Sequence, residues 1–132
     1  MLDKDQVISN YFNQEALIFL NDIYREERRI FKETGENFRL EKPNPYSLIS
    51  SARNIKPSNN NIAYIGDTAS DFRAVQNANK EAEFNFSSIC IYGSSTKPEK
   101  LKNKFKELGA NLIIDNPNNL LELFEKIGRK KI

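Results

Sequence analysis

From Asn61 onward the chain alternates short apolar runs with amphipathic stretches, and this alternation limits its fold more than any other feature. Residues 61–65 read as a buried strand and 70–79 as a helix. Residues 87–92 form the next strand. A helix over 98–108 follows, with Leu101, Phe105 and Leu108 on one face. A short strand at 111–114 and a helix from 117 to about 127 complete the series. Strands joined by helices of this length are right-handed crossovers between parallel strands, so the expected fold is α/β, a parallel sheet with helices on both faces. Upstream, residues 16–20 read as a fourth buried strand and 45–54 as a helix. The densely charged stretch 21–41 reads either as a solvated helix or as an irregular insertion. Gly109 stands where a helix needs a left-handed C-terminal residue, and Asn79 is expected to play the same part.

Composition narrows the chemistry. With 132 residues the chain suits one domain. Twenty basic against 18 acidic residues leave a net charge of +2, which gives no reason to expect nucleic acid or a membrane surface as partner. The longest apolar run, 16–20, is far short of the roughly 20 residues a membrane span needs. Met1-Leu2-Asp3-Lys4-Asp5 is too acidic and polar for a signal peptide, so the expected location is cytoplasmic. Without histidine there is no Ser-His-Asp or Cys-His hydrolase and no His-ligated metal. The single cysteine, Cys90, lies in an apolar stretch and reads as a small buried hydrophobe. Lys97, Lys100, Lys102, Lys104 and Lys106 fall largely opposite the apolar face of their helix and read as its solvated side. Any chemistry must run on carboxylates, lysines, hydroxyls and backbone amides.

The informative segment is Ile62-Ala63-Tyr64-Ile65-Gly66-Asp67-Thr68-Ala69-Ser70-Asp71. Ligands in parallel sheets sit at the carboxyl ends of strands, which is where Asp67 is placed. Gly66 permits a sharp turn and a close approach. Two carboxylates in a polar loop, without His or Cys, suit a hard cation such as Mg²⁺. The plainer reading is a helix start, with Asp67 or Ser70 as N-cap and Asp71 favourable to the helix dipole. A second feature tips the balance: Lys42 precedes Pro43-Asn44-Pro45, 25 residues before Asp67. The order is Lys-Pro-x-Pro, helix, turn, strand, Gly-Asp-x-x-x-Asp.

That order resembles the third and fourth motifs of the haloacid dehalogenase superfamily of phosphohydrolases. Residues 71–79 look like the helix after the family's acidic motif, with Asn79 where glycine is usual. Residues 109–115 look like its closing Gly-Ala-Asp strand, with Asn111 for the Asp. The resemblance implies a Rossmann-like sheet and a Mg²⁺-dependent phosphatase of a small phosphorylated metabolite. It implies that Lys42 neutralises the phosphoryl group and the attacking carboxylate. It gives Asp67 the role of Mg²⁺ ligand, and Asp71 that of holding a metal-bound water or orienting Lys42. The family's first motif, a strand ending in Asp-x-Asp with the nucleophile, and its second, a strand ending in Ser or Thr, have only imitations here. Asp3-Lys4-Asp5 follows two residues, too few for a central strand, and Ser9 leaves no room for a crossover before Ala16. Residues 2–12 read better as the end of a helix. The chain is therefore expected to be the C-terminal part of such an enzyme, its nucleophile unknown, missing the central strands and inactive alone. The strand before Asp67 is then expected to be covered by a rearranged 16–20 strand, a second copy, or a chain supplying the missing half. Two other classes compete with the enzyme. One is a non-catalytic binding module that kept the fold; the other is a phosphoacceptor receiver domain, whose order of motifs fits less well.

Overall fold

A computed structural model describes residues 18–130. Its elements run α1 (Leu20–Thr34), α2 (Tyr46–Ile55), β1 (Asn61–Gly66), α3 (Ala69–Lys80), β2 (Asn85–Ile91), α4 (Pro98–Leu108), β3 (Leu112–Ile114) and α5 (Asn118–Lys130). The protein is α/β; among the described residues three parallel strands in the order β1-β2-β3 form an open sheet flanked by helices. No helix among the described residues is long and apolar enough to cross a membrane.

Local chemistry explains the elements. Pro98 opens α4, where a missing N–H costs nothing, and Gly109 ends it at φ 81°. Ala110 then donates its N–H back to the Phe105 carbonyl at 3.1 Å, satisfying one of the helix's last acceptors. The charged stretch is a solvated helix as far as Thr34 and irregular from Gly35 to Glu41. In α1 only Ile23 is buried, Arg29 bridges Glu26 and Glu33 along the exposed face, and Gly35 ends the helix at φ 73°.

Register shows which face is the core. Ile62, Tyr64 and Gly66 stand beside Phe86, Ser88 and Cys90, and Cys90 beside Ile113. Leu48, Ile49 and Ala52 of α2, with Ala74, Val75 and Ala78 of α3, pack on the Phe86 end of this face. Phe72 of α3 and Phe105 of α4 pack with Cys90 at the other end. Both crossover helices share this face because the strand order advances without reversing.

Three expectations are corrected. The proposed fourth strand does not form over its described part: Ile18 and Phe19 lie outside any strand and Leu20 opens α1, while residues 16 and 17 lie outside the described residues. The Phe19 N–H donates to the Asp22 carboxylate at 2.9 Å, so capping turns this run into a helix start. The strand before Asp67 is half-exposed rather than buried. It alternates exposed Asn61, Ala63 and Ile65 with partly buried neighbours, because β1 is an edge with no strand beyond it among the described residues. Asn79 is not a left-handed cap; it lies within α3. Its side-chain amide donates to the Phe86 carbonyl at 3.0 Å and accepts the Phe86 N–H at 2.7 Å, tying α3 to β2. The positive φ, 57°, falls instead on Ala82.

Asn111 has a similar bridging role. Its Oδ1 accepts from the N–H and hydroxyl of buried Ser88, and its own N–H donates to Ser88 Oγ at 3.0 Å. The earlier expectations for residues 2–12, including Asp3, Asp5 and Ser9, lie outside the described residues.

Candidate functional site

β1 delivers the chain to Gly66, and α3 starts almost at once. Its N-cap is Thr68, neither Asp67 nor Ser70. Thr68 Oγ accepts the Asp71 N–H at 3.1 Å, while the Asp71 carboxylate reaches back to the Thr68 N–H at 3.0 Å. This reciprocal cap satisfies two of the donors that a helix N-terminus leaves orphaned. Asp71 Oδ2 also accepts the Asp67 N–H at 3.1 Å and the Thr68 hydroxyl at 2.8 Å.

The other carboxylate oxygen faces the segment before α2. Asp71 Oδ1 accepts from Lys42 Nζ, 29 residues away, and from the Tyr64 hydroxyl at 3.2 Å. Lys42 Nζ lies 3.5 Å from the same hydroxyl. Lys42 is brought there by its neighbours: Asn77 of α3 donates to the Pro43 carbonyl at 2.9 Å, and Asn44 Oδ1 accepts the Tyr46 N–H at 2.9 Å. The Lys42–Pro43 peptide is cis.

Asp71 is 3% exposed and its two oxygens take hydrogen bonds from five donors. Burial alone would raise its carboxyl pKa; the Lys42 ammonium and the Thr68 donors outweigh burial and hold it below the usual range. For Lys42, burial pulls downward, yet the bond to Asp71 and the neighbouring Tyr64 keep its pKa above the ordinary value. Burial, then the Asp71 charge, raises the Tyr64 phenol, with Lys42 opposing. Burial, followed by the Asp71 charge, pushes the Cys90 thiol up to about 11, so it remains a thiol at neutral pH.

Asp67 is arranged differently. It is exposed and lines a pocket of about 290 Å³ at the carboxyl ends of the strands, together with Ser94, Asp115 and Asn116. The pocket is fixed by backbone pairing past β2 and β3, with the Gly93 N–H donating to the Asp115 carbonyl at 2.8 Å. A Cβ on Gly93 would meet Asp115 at 2.2 Å, so this approach needs glycine.

No family model, curated protein or solved structure matches the chain. Its chemistry is read from its own residues. The fold brings Lys42 and Asp71 together and sets Asp67 at the mouth of a separate, solvent-facing pocket. Because Asp71 is fully occupied as an acceptor, its action is on Lys42 and on the start of α3. Mg²⁺ takes one or two carboxylates and keeps several waters, so Asp67 and Asp115 are the carboxylates that suit it here. Among the described residues no group of three or more carboxylate, thiol or imidazole ligands is close enough to form a fuller cage.

Sequence reasoning missed Tyr64, Asn77, Ser94 and Asp115. Ser94 and Asp115 follow β2 and β3 much as Asp67 follows β1, so the strand-end rule that selected Asp67 also points to them. Tyr64 had a weaker signal, a phenol one strand period before Gly66.

Gly66 has a second function beyond turning the chain. A Cβ there would stand 2.5 Å from Asp71 Cβ and 2.8 Å from its Cγ. Gly66→Ala must therefore displace the Asp71 side chain, and we expect a loss of about 1–3 kcal/mol from overpacking. Urea unfolding checks this; a midpoint equal to that of the wild type would mean that Asp71 has room to move.

Proposed function

We propose that the chain is the lysine- and cation-binding part of a Mg²⁺-dependent phosphohydrolase of the haloacid dehalogenase type, acting on a small phosphorylated metabolite. One observation carries the reading: Lys42 is held by Asp71 beside the end of β1, where exposed Asp67 opens on a pocket. In this reading Lys42 places positive charge against phosphoryl oxygens, and Asp71 fixes its direction and keeps it protonated. Asp67 and Asp115 would hold Mg²⁺, which supplies charge stabilisation to the phosphoryl group when bound. Ser94 adds a hydroxyl for hydrogen bonding at the pocket wall.

No described residue is assigned as nucleophile. The carboxylate that meets Lys42 is Asp71, already engaged, and Asp3 and Asp5 lie outside the described residues. This same point supports the second reading, a binding module that retains phosphate and cation affinity without turnover.

Two measurements on the purified chain test these readings. In an amide NMR titration, Mg²⁺ is expected to shift residues around Asp67 and Asp115, and Asp67→Asn to abolish the shifts. Silence there removes the cation site and the phosphohydrolase reading with it. Towards p-nitrophenyl phosphate with Mg²⁺, the chain is expected to release little or no phosphate, because such hydrolyses need a positioned nucleophile. Steady release abolished by Asp67→Asn would place a nucleophile in the chain, with Asp3 and Asp5 the first to substitute.

A further inference from the structure

The loop from β2 to α4, Gly93-Ser94-Ser95-Thr96-Lys97, serves two concavities. Ser94 faces the Asp67 pocket, and the next three residues line an open groove of about 910 Å³ along α4. Lys97, Lys100 and Lys104 stand along that groove at i, i+3 and i+7, so they share one face of the helix. Ser95 and Thr96 supply hydroxyls at its head, and Glu107 places one carboxylate at its far end.

Charge is concentrated there. Residues 97–107 hold five lysines against two glutamates, an excess larger than the +2 of the whole chain. Lys104 has only a loose pairing with Glu107, at 4.0 Å, and Lys97 and Lys100 make no ion pair among the described residues. The groove is a shallow one, bounded by the loop and the lysine face of α4 within residues 95–107. Lys97, at the N-cap of α4, stands at the end of the sheet where Asp67 and Asp115 line their pocket, Lys100 and Lys104 follow one and two turns along the helix, and the two linings meet between Ser94 and Ser95.

We propose that the groove receives a second anionic group of the ligand, so that the substrate class is a doubly phosphorylated small molecule; this rests on the phosphohydrolase reading of the Asp67 pocket. One phosphate lies at the Asp67 end and the other among Ser95, Thr96, Lys97, Lys100 and Lys104. The lysines discriminate bisphosphates from monophosphates by charge, and the intervening carbon skeleton passes over the loop at Ser94.

The test compares fructose 1,6-bisphosphate with fructose 6-phosphate, each with Mg²⁺, by amide NMR and calorimetry. The monophosphate is expected to shift amides near Asp67 alone, and the bisphosphate to shift these together with residues 95–104. A Lys97→Gln/Lys100→Gln/Lys104→Gln variant, altered only at the surface, is expected to weaken the bisphosphate on the order of tenfold while leaving the monophosphate unchanged. Equal affinity for the two sugars, or a bisphosphate unaffected by the triple substitution, overturns the proposal. So does a single-stranded oligonucleotide that binds the lysines more tightly than the bisphosphate. If residues 95–104 respond and the amides near Asp67 do not, the phosphohydrolase reading fails, and the bridging substrate with it.

Discussion

Replacing Asp71 with alanine is expected to cost about 3 kcal/mol of folding stability. Removing one partner of a fully buried ion pair costs about 3–5 kcal/mol, because the remaining charge is left without compensation. Here the Lys42 side chain is 42% exposed and can turn to water, which discounts that figure. The lost helix cap adds back about 1 kcal/mol. Lys42→Met should cost less, since Asp71 keeps its Tyr64, Asp67 and Thr68 donors. The two variants also differ in their response to pH. The Asp71 carboxyl lies below its ordinary value in the folded chain, so its contribution is present above an unfolded pKa of about 3.9 and fades as pH falls through the folded value. The Lys42 ammonium is raised, so its share is present below about pH 10.4 and is lost as pH rises through the folded value. Both contributions are therefore complete at neutral pH. Urea midpoints measured from acid to neutral pH should show a steep acid limb in the wild type and a shallower one in Lys42→Met. Coincident limbs would show that the pair contributes nothing to acid stability.

Phe105→Ala should have a larger effect, about 3–5 kcal/mol, the usual cost of truncating a buried phenylalanine. Phe105 is 0% exposed and packs with Phe72 and Cys90, joining α4 to α3 and the central strand. A domain of this size has about 5–15 kcal/mol in all, so this single change removes a large part of the margin. The expected fall in melting temperature is about 10–20 °C. Phe105→Leu, which refills much of the volume, should recover most of it. A melting temperature within a few degrees of the wild type for Phe105→Ala would mean that α4 is held by something other than this cluster.

The elements legible in the sequence were those governed by local rules. Helix α4 came out at Pro98–Leu108 because its stop and start are set by backbone chemistry at Gly109 and Pro98 and by the spacing of Leu101, Phe105 and Leu108. The parallel sheet followed from strands and helices alternating at crossover length. Gly66, Asp67 and Asp71 were visible because a strand ending in a polar turn places side chains at the ligand-binding end of a sheet. What the tertiary structure decided depends on contacts between residues far apart in the chain. Whether Asp71 faces a cation or Lys42 turns on a lysine 29 residues upstream, carried in by Pro43 and Asn77. The asparagines at 79 and 111 exchange hydrogen bonds with β2, 7 and 23 residues away, so their own neighbours in sequence carry no sign of that task. β1 has an apolar composition suited to a central strand, yet composition records only what a residue can pack against; the strand order among the described residues made β1 an edge, with Ile65 47% exposed.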